Sequence, residues 1–249
     1  MKIIVTDSYA ASCREAANQL LSVIKGNPQA CLGLATGGTA QGVYPYLVKA
    51  YKQQMVSYTE IRTVNLDEYI GLKPDHPQSY RYYMDTYFFD HIDINPLNTY
   101  IPSGSQLLQP EITNFSRILE IWPRDVQLLG VGVNGHIGFN EPGEMLQAGV
   151  HVATLDWKTI KANARFFASE DEVPKTAITM GVSDILQAGK IVLLANGSQK
   201  AAVLQKLLTG EEVTTQVPCT LLKLHRDVTV ILDRELARQV GVSADLLNE

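Results

Sequence analysis

Six short runs of this chain are apolar on both of their alternating sets of positions: residues 2–6, 30–35, 62–66, 126–133, 190–195 and 228–232. A strand with one wet face alternates apolar and polar residues, whereas a strand apolar throughout must be covered on both faces. Between these runs lie segments with helical apolar spacing, at 8–25, 42–54, 78–89, 112–119, 183–186, 198–208 and 234–239. The first opens on an Asp7/Ser8 cap and stops at Gly26-Asn27-Pro28. The third carries Tyr80, Tyr83, Met84 and Tyr87 on one face. Strands alternating with helices imply an α/β fold built on a parallel sheet with right-handed crossovers. No repeat, low-complexity tract or Pro/Gly/Ser-rich linker divides the 249 residues, of which 45% are hydrophobic. The expectation is one domain, 1–249, with a substantial core. Residues 158–169 mix Arg165, Phe166 and Phe167 with polar neighbours and read as a mobile lid.

Charge and composition narrow the partners. The chain carries 21 basic and 26 acidic side chains, a net charge of −5, with no basic run. It lacks the electrostatic footprint of a nucleic-acid binder. The N-terminus is already a strand rather than a signal peptide, and no apolar run approaches a membrane span. Cys13, Cys31 and Cys219 are scattered without metal spacing, which fits packing residues in a reducing cytoplasm. A small-molecule ligand remains.

In open α/β sheets, ligands bind beyond the carboxyl ends of strands. Four of the runs end in conspicuous chemistry. Thr36-Gly37-Gly38-Thr39 follows the second and opens a helix, so its backbone N–H groups can approach an anion. An ordinary tight strand-to-helix turn would read the same. It is no Walker A loop, because no lysine follows the last glycine. Asn196-Gly197-Ser198-Gln199-Lys200 is a second such junction; a lysine in a first helical turn opposes the helix dipole unless an anion pairs with it. Asp67-Glu68 ends the third run, where apolar walls can raise a carboxylate's pKa and make it a base toward a carbon acid. A capping or salt-bridged aspartate is the plainer alternative.

The fourth run leads into Leu129-Gly-Val-Gly-Val-Asn134-Gly-His136-Ile-Gly-Phe-Asn-Glu141-Pro-Gly143. Gly130-x-Gly132-x-x-Gly135 matches a dinucleotide fingerprint, but no helix begins within the glycines, so no nicotinamide site is expected. Asn134, His136 and Glu141 form an orientable acid/base unit instead. His76, His91, His151 and His225 have no comparable setting. No His/Cys/carboxylate set has metal-ligand spacing. No Gly-x-Ser-x-Gly elbow supports a Ser-His-Asp hydrolase.

These motifs, together with Ala162-Asn163-Ala164-Arg165-Phe166-Phe167 and the Leu224-His225 and Asp233 positions, occur in the order found in glucosamine-6-phosphate deaminases. The chain resembles that family over nearly its whole length. The resemblance implies a Rossmann-like three-layer αβα sandwich with a mostly parallel central sheet. It implies conversion of glucosamine 6-phosphate and water to fructose 6-phosphate and ammonia. Asp67 then matches the base that moves a proton between C2 and C1. His136 matches the ring-opening group, supported by Glu141 and Asn134. Thr36, Gly37, Gly38, Thr39, Arg165 and Lys200 match the phosphate site. The aldose-to-ketose change is an internal redox step, so no cofactor or metal is required.

The chain departs from some relatives at Asn134, where they carry Asp; an amide can orient His136 but cannot raise its basicity as a carboxylate would. Allosterically activated relatives carry a serine and basic residues after the motif, where Glu144, His151 and Ala153 stand here, and a longer C-terminal segment; the chain ends soon after Leu247. No activation by N-acetylglucosamine 6-phosphate is expected. The same motifs would serve galactosamine 6-phosphate, the C4 epimer. Related folds serve 6-phosphogluconolactonases and sugar-phosphate sensors in transcription regulators, which carry a DNA-binding segment, whereas this chain opens directly on its first strand. An isologous surface leaves no readable trace in one sequence, so monomer and homo-oligomer both stay open.

Overall fold

The computed structural model describes residues 1–105 and 107–242. The chain runs β1 (Lys2–Thr6), α1 (Tyr9–Gly26), β2 (Cys31–Leu34), α2 (Gly38–Gln41), α3 (Tyr44–Lys52), β3 (Arg62–Asn65), β4 (Asp67–Tyr69), α4 (Tyr80–Tyr87), β5 (Thr99–Tyr100), α5 (Leu108–Ile121), β6 (Val126–Leu129), β7 (His151–Thr154), α6 (Trp157–Asn163), β8 (Thr176–Thr179), α7 (Val182–Leu186), β9 (Lys190–Ala195), α8 (Ala201–Leu208), β10 (Val228–Asp233) and α9 (Arg234–Val240).

Seven strands pair in the order β1-β10-β9-β6-β2-β3-β5, and their pairings are parallel. All of β2 and β6, and all of β9 after its first residue, are buried, as runs apolar on both sides must be. Ser8 accepts a hydrogen bond from Ala11 N–H at 3.3 Å and starts α1 where the Asp7/Ser8 cap was expected. The strand order fixes where the helices go. From β1 to β2, β3 and β5 the chain steps one way across the sheet; from β5 to β6, β9 and β10 it steps back. Right-handed crossovers in opposite directions put their helices on opposite faces, which gives the αβα layering. The reversal falls between adjacent β2 and β6, whose following connections diverge. That is the topological switch point, where open sheets of this kind bind ligands.

A second, three-stranded sheet, β4-β8-β7, is antiparallel. It has a small core of its own, Tyr69, Phe139, Ala153, Leu155 and Ala177, onto which Ile160 and Phe167 pack. The sequence reading missed this sheet: β4, β7 and β8 are three or four residues long and carry polar residues. Other bounds also move. The fourth run leaves the sheet at Leu129 rather than residue 133, because the glycines after it turn back on themselves. The helix expected over 42–54 is α3, which starts at Tyr44 and ends at Lys52; a separate short helix, α2, precedes it at Gly38–Gln41. The segment 158–169 read as a lid holds most of α6 and the 3-10 turn at Ala164–Phe166, and a further 3-10 turn, Glu170–Glu172, follows it. The three cysteines are buried and free. Among the described residues no helix is long and apolar enough to cross a membrane. Residues 243–249, on which part of the effector expectation rests, lie outside the described residues.

Candidate active site

A cleft of about 180 Å³ opens at the switch point. Thr36, Gly37, Gly38 and Thr39 line it after β2, Asp67 after β3, Gly132 and His136 after β6, and Lys200 after β9. Arg165, Lys158 and Thr159 line it from the α6 segment. The strand ends selected from the sequence therefore converge, but not with every residue. Glu68, Asn134, Glu141 and Asn196 lie behind the lining.

The β2–α2 turn is held from its outer side. Tyr9 Oη donates to Gly38 O at 3.0 Å and Thr39 O at 2.9 Å, and Tyr83 Oη donates to Gly37 O at 3.1 Å. With the carbonyls bound there, the first-turn N–H groups of α2 are left for a ligand. Gly37 has φ 88°, which a side chain would strain. Thr39 Oγ1 donates to Asn196 Oδ1 at 2.9 Å, tying the two anion-type turns together and committing its one hydroxyl proton. Asn196 is thus a brace between the turns. Arg165 lies against the same turn: a Cβ built on Gly38 would meet its Nη2 at 3.1 Å, and its guanidinium stacks over Phe166 at 4.6 Å. Lys200 Nζ donates to Val131 O at 2.6 Å. Burial, and then the charge of Arg165, lower the Lys200 pKa to about 8. Arg165 is exposed and Lys200 half-buried, and two cations brought together at one edge of the cleft favour a bound anion.

Asp67 and Glu68 are neighbours in β4, and strand alternation sends them to opposite sides. Asp67 is 7% exposed yet lines the cleft. Burial, and then the charge of Glu68, hold its carboxyl well above the usual carboxylate range. Its Oδ2 lies 3.6 Å from where a Cβ on Gly138 would stand, two residues from His136. Glu68 accepts backbone N–H bonds from Tyr69 and Tyr80 at 2.9 Å and from Arg81 at 3.1 Å, so it caps α4. Burial raises its pKa to about 7, against those three donors. The capping role weighed for the aspartate is thus filled by its neighbour Glu68.

His136 sits in a mould of backbone. Gly132 N–H donates to His136 O at 2.9 Å, and a Cβ on Gly132 would fall 2.4 Å from the imidazole. His136 Nδ1 lies 3.2 Å from Glu141 Oε2. Asn134 Nδ2 donates to Glu141 Oε2 at 2.7 Å, while Asn134 Oδ1 accepts His136 N–H at 3.2 Å. Thr159 Oγ1 donates to Glu141 Oε1 at 2.6 Å. Burial alone would raise the Glu141 pKa, but the His136 contact and the Thr159 and Asn134 hydrogen bonds outweigh it and hold it below the ordinary value. Glu141 is the anion behind His136, and Asn134 serves Glu141. Thr159 was missed, since one threonine on a short helix carries no sequence signal.

An α/β sheet with a switch-point cleft, cationic at one side and carrying a buried carboxylate and an imidazole at the other, defines an enzyme for small anionic substrates transformed by proton transfer. Residues 6–231 match the family model described as glucosamine-6-phosphate isomerases/6-phosphogluconolactonase. The chain belongs to that family. It is 46% identical over 240 residues to a glucosamine-6-phosphate deaminase of Clostridium perfringens strain 13, covering 96% of this chain and 99% of that one. It is 48% identical over 239 residues to a glucosamine-6-phosphate deaminase of Thermoanaerobacter sp. strain X514, covering 95% and 94%. The solved structure of a monomeric glucosamine-6-phosphate deaminase superposes with a TM-score of 0.93 at 44% identity, covering 96% of this chain and 100% of that one.

Proposed function

We propose that this chain converts glucosamine 6-phosphate and water to fructose 6-phosphate and ammonia, with Asp67 as the carbon base. The observation that carries the reading is Asp67 itself: a buried carboxylate with a raised pKa, lining one cleft with His136, Arg165 and Lys200. The relatives named above support it. Arg165, Lys200 and the N–H groups after Gly37 hold the phosphate. His136 takes a proton from the O1 hydroxyl and returns one to the ring oxygen, opening the sugar. Asp67 removes the C2 proton and delivers it to C1. C1 is thereby reduced to an alcohol, its O1 taking up the proton that the C2 nitrogen gives up, C2 is oxidised to a ketimine, and water replaces the imine nitrogen to give the ketone and ammonia. The α6 segment acts as a lid over this chemistry within one domain.

The reading includes a single chain as functional unit, since the relative solved at 44% identity is monomeric, and a cytoplasmic setting, which three free cysteines support. It also includes hyperbolic kinetics unaffected by N-acetylglucosamine 6-phosphate. Ammonia release is the test, with glucosamine 6-phosphate, galactosamine 6-phosphate and 6-phosphogluconolactone offered in parallel. Ammonia from the first at the highest kcat/KM is expected. Turnover of the galactosamine epimer alone, or lactone hydrolysis without ammonia, would overturn it.

A further inference from the structure

The α6 helix contributes a side chain to the His136 unit from outside the glycine-rich loop. Thr159 is 4% exposed. Its Oγ1 lies 2.6 Å from Glu141 Oε1 and 3.3 Å from His136 Nδ1. A hydroxyl has one proton, and an ionised carboxylate only accepts. At 2.6 Å the Thr159 proton must therefore go to Glu141, and toward Nδ1 the hydroxyl oxygen faces as an acceptor. Glu141 Oε2 faces Nδ1 as a second acceptor at 3.2 Å. Both neighbours of Nδ1 accept, so Nδ1 carries the ring hydrogen and the neutral imidazole keeps its lone pair on Nε2. That is the form able to take a proton from substrate. A glutamate can swing about three side-chain bonds. Asn134 pins only one of its oxygens, and Thr159 pins the other.

We infer that Thr159 is a positioning residue for the proposed reaction, whose hydroxyl holds the Glu141 carboxylate ionised and aimed at His136. This rests on the deaminase reading. It adds that the relay is completed by the segment that also carries Arg165 to the β2–α2 turn.

The test compares Thr159→Val and Thr159→Ser with the unaltered protein, reading the Glu141 side-chain carboxyl by carbon-13 NMR titration and kcat/KM by ammonia release. A Glu141→Gln control assigns the signal. His136, Asp67, Tyr80, Lys158, Arg165 and Lys200 also face this cleft, so the titration is read on Glu141 directly rather than from the rate profile alone. Loss of one hydrogen bond to a charged group should move the Glu141 titration up by roughly one pH unit or more in T159V and lower kcat/KM about tenfold or more. T159S should restore most of both. Thr159→Ala serves if the valine variant does not fold. An unmoved Glu141 titration overturns the inference, including when the rate falls, because packing loss alone would lower activity without shifting that carboxyl. Absence of ammonia from the unaltered protein would instead sink the deaminase reading.

Discussion

Asn134 gives its amide proton to Glu141 Oε2 across 2.7 Å. An aspartate there would set a second carboxylate against the first, and two carboxylates at that distance share a proton. In Asn134→Asp the acid limb of kcat/KM therefore moves to higher pH, because Glu141 ionises later. A pH–rate series on both proteins measures this. An unchanged limb would mean that the Asn134 proton contributes nothing to Glu141.

Asp67→Asn abolishes turnover, spares inorganic-phosphate binding and raises the melting temperature at neutral pH. The folded-state pKa of Asp67 lies above its unfolded value. The stability it contributes is present below the unfolded carboxylate pKa and is lost as pH rises through the folded one. An amide cannot ionise and escapes that loss, at roughly 2–4 °C for each kcal/mol in a chain of this size. The gain should vanish in acid. Calorimetry at both pH values decides, and a neutral-pH melting temperature at or below the original would show that the carboxylate is not strained by burial.

Lys200, with its pKa lowered to about 8, loses its proton as pH rises through that value, and the neutral amine no longer attracts phosphate. KM for the sugar phosphate should climb above pH 8. Lys200→Arg carries a charge that persists past pH 12, so its KM stays flat through the same range. If both proteins show the same rise, Lys200 is not the group responsible.

Arg165→Ala should raise KM by about tenfold or more while changing kcat less, the signature of lost uniform binding. The guanidinium stacks on Phe166 beside Gly38, on the phosphate side of the cleft. A variant that loses kcat at unchanged KM would place Arg165 in the chemistry instead.

The large sheet was legible because β2, β6, β9 and β10 bury both faces, a demand that leaves few polar positions for the eye to miss. The small sheet was not, because Asp67-Glu68-Tyr69 and Thr176-Ala-Ile-Thr179 acquire strand character only by pairing across more than a hundred residues. Of the site, Thr36 to Thr39, Asp67, His136 and Lys200 could be found because each follows a strand of the large sheet. Glu141 and Asn134 were singled out through the glycines around His136, but which of them faces the imidazole needed the hydrogen bonds. Thr159 reaches Glu141 from 18 residues away, and no local pattern marks it.

Leu66 joins the two sheets: its N–H donates to Leu34 O in one, and its carbonyl accepts from Met180 N–H in the other. Leu66 is a single-residue bend between β3 and β4 that pairs with both sheets, so parity in β4 decides which acid faces the cleft and which caps α4. Deleting Leu66, or inserting one residue after it, would turn each acid to the opposite side, so that the glutamate faces the cleft and the shorter aspartate the helix. The segment can therefore vary by substitution, but change in its length is closed to it.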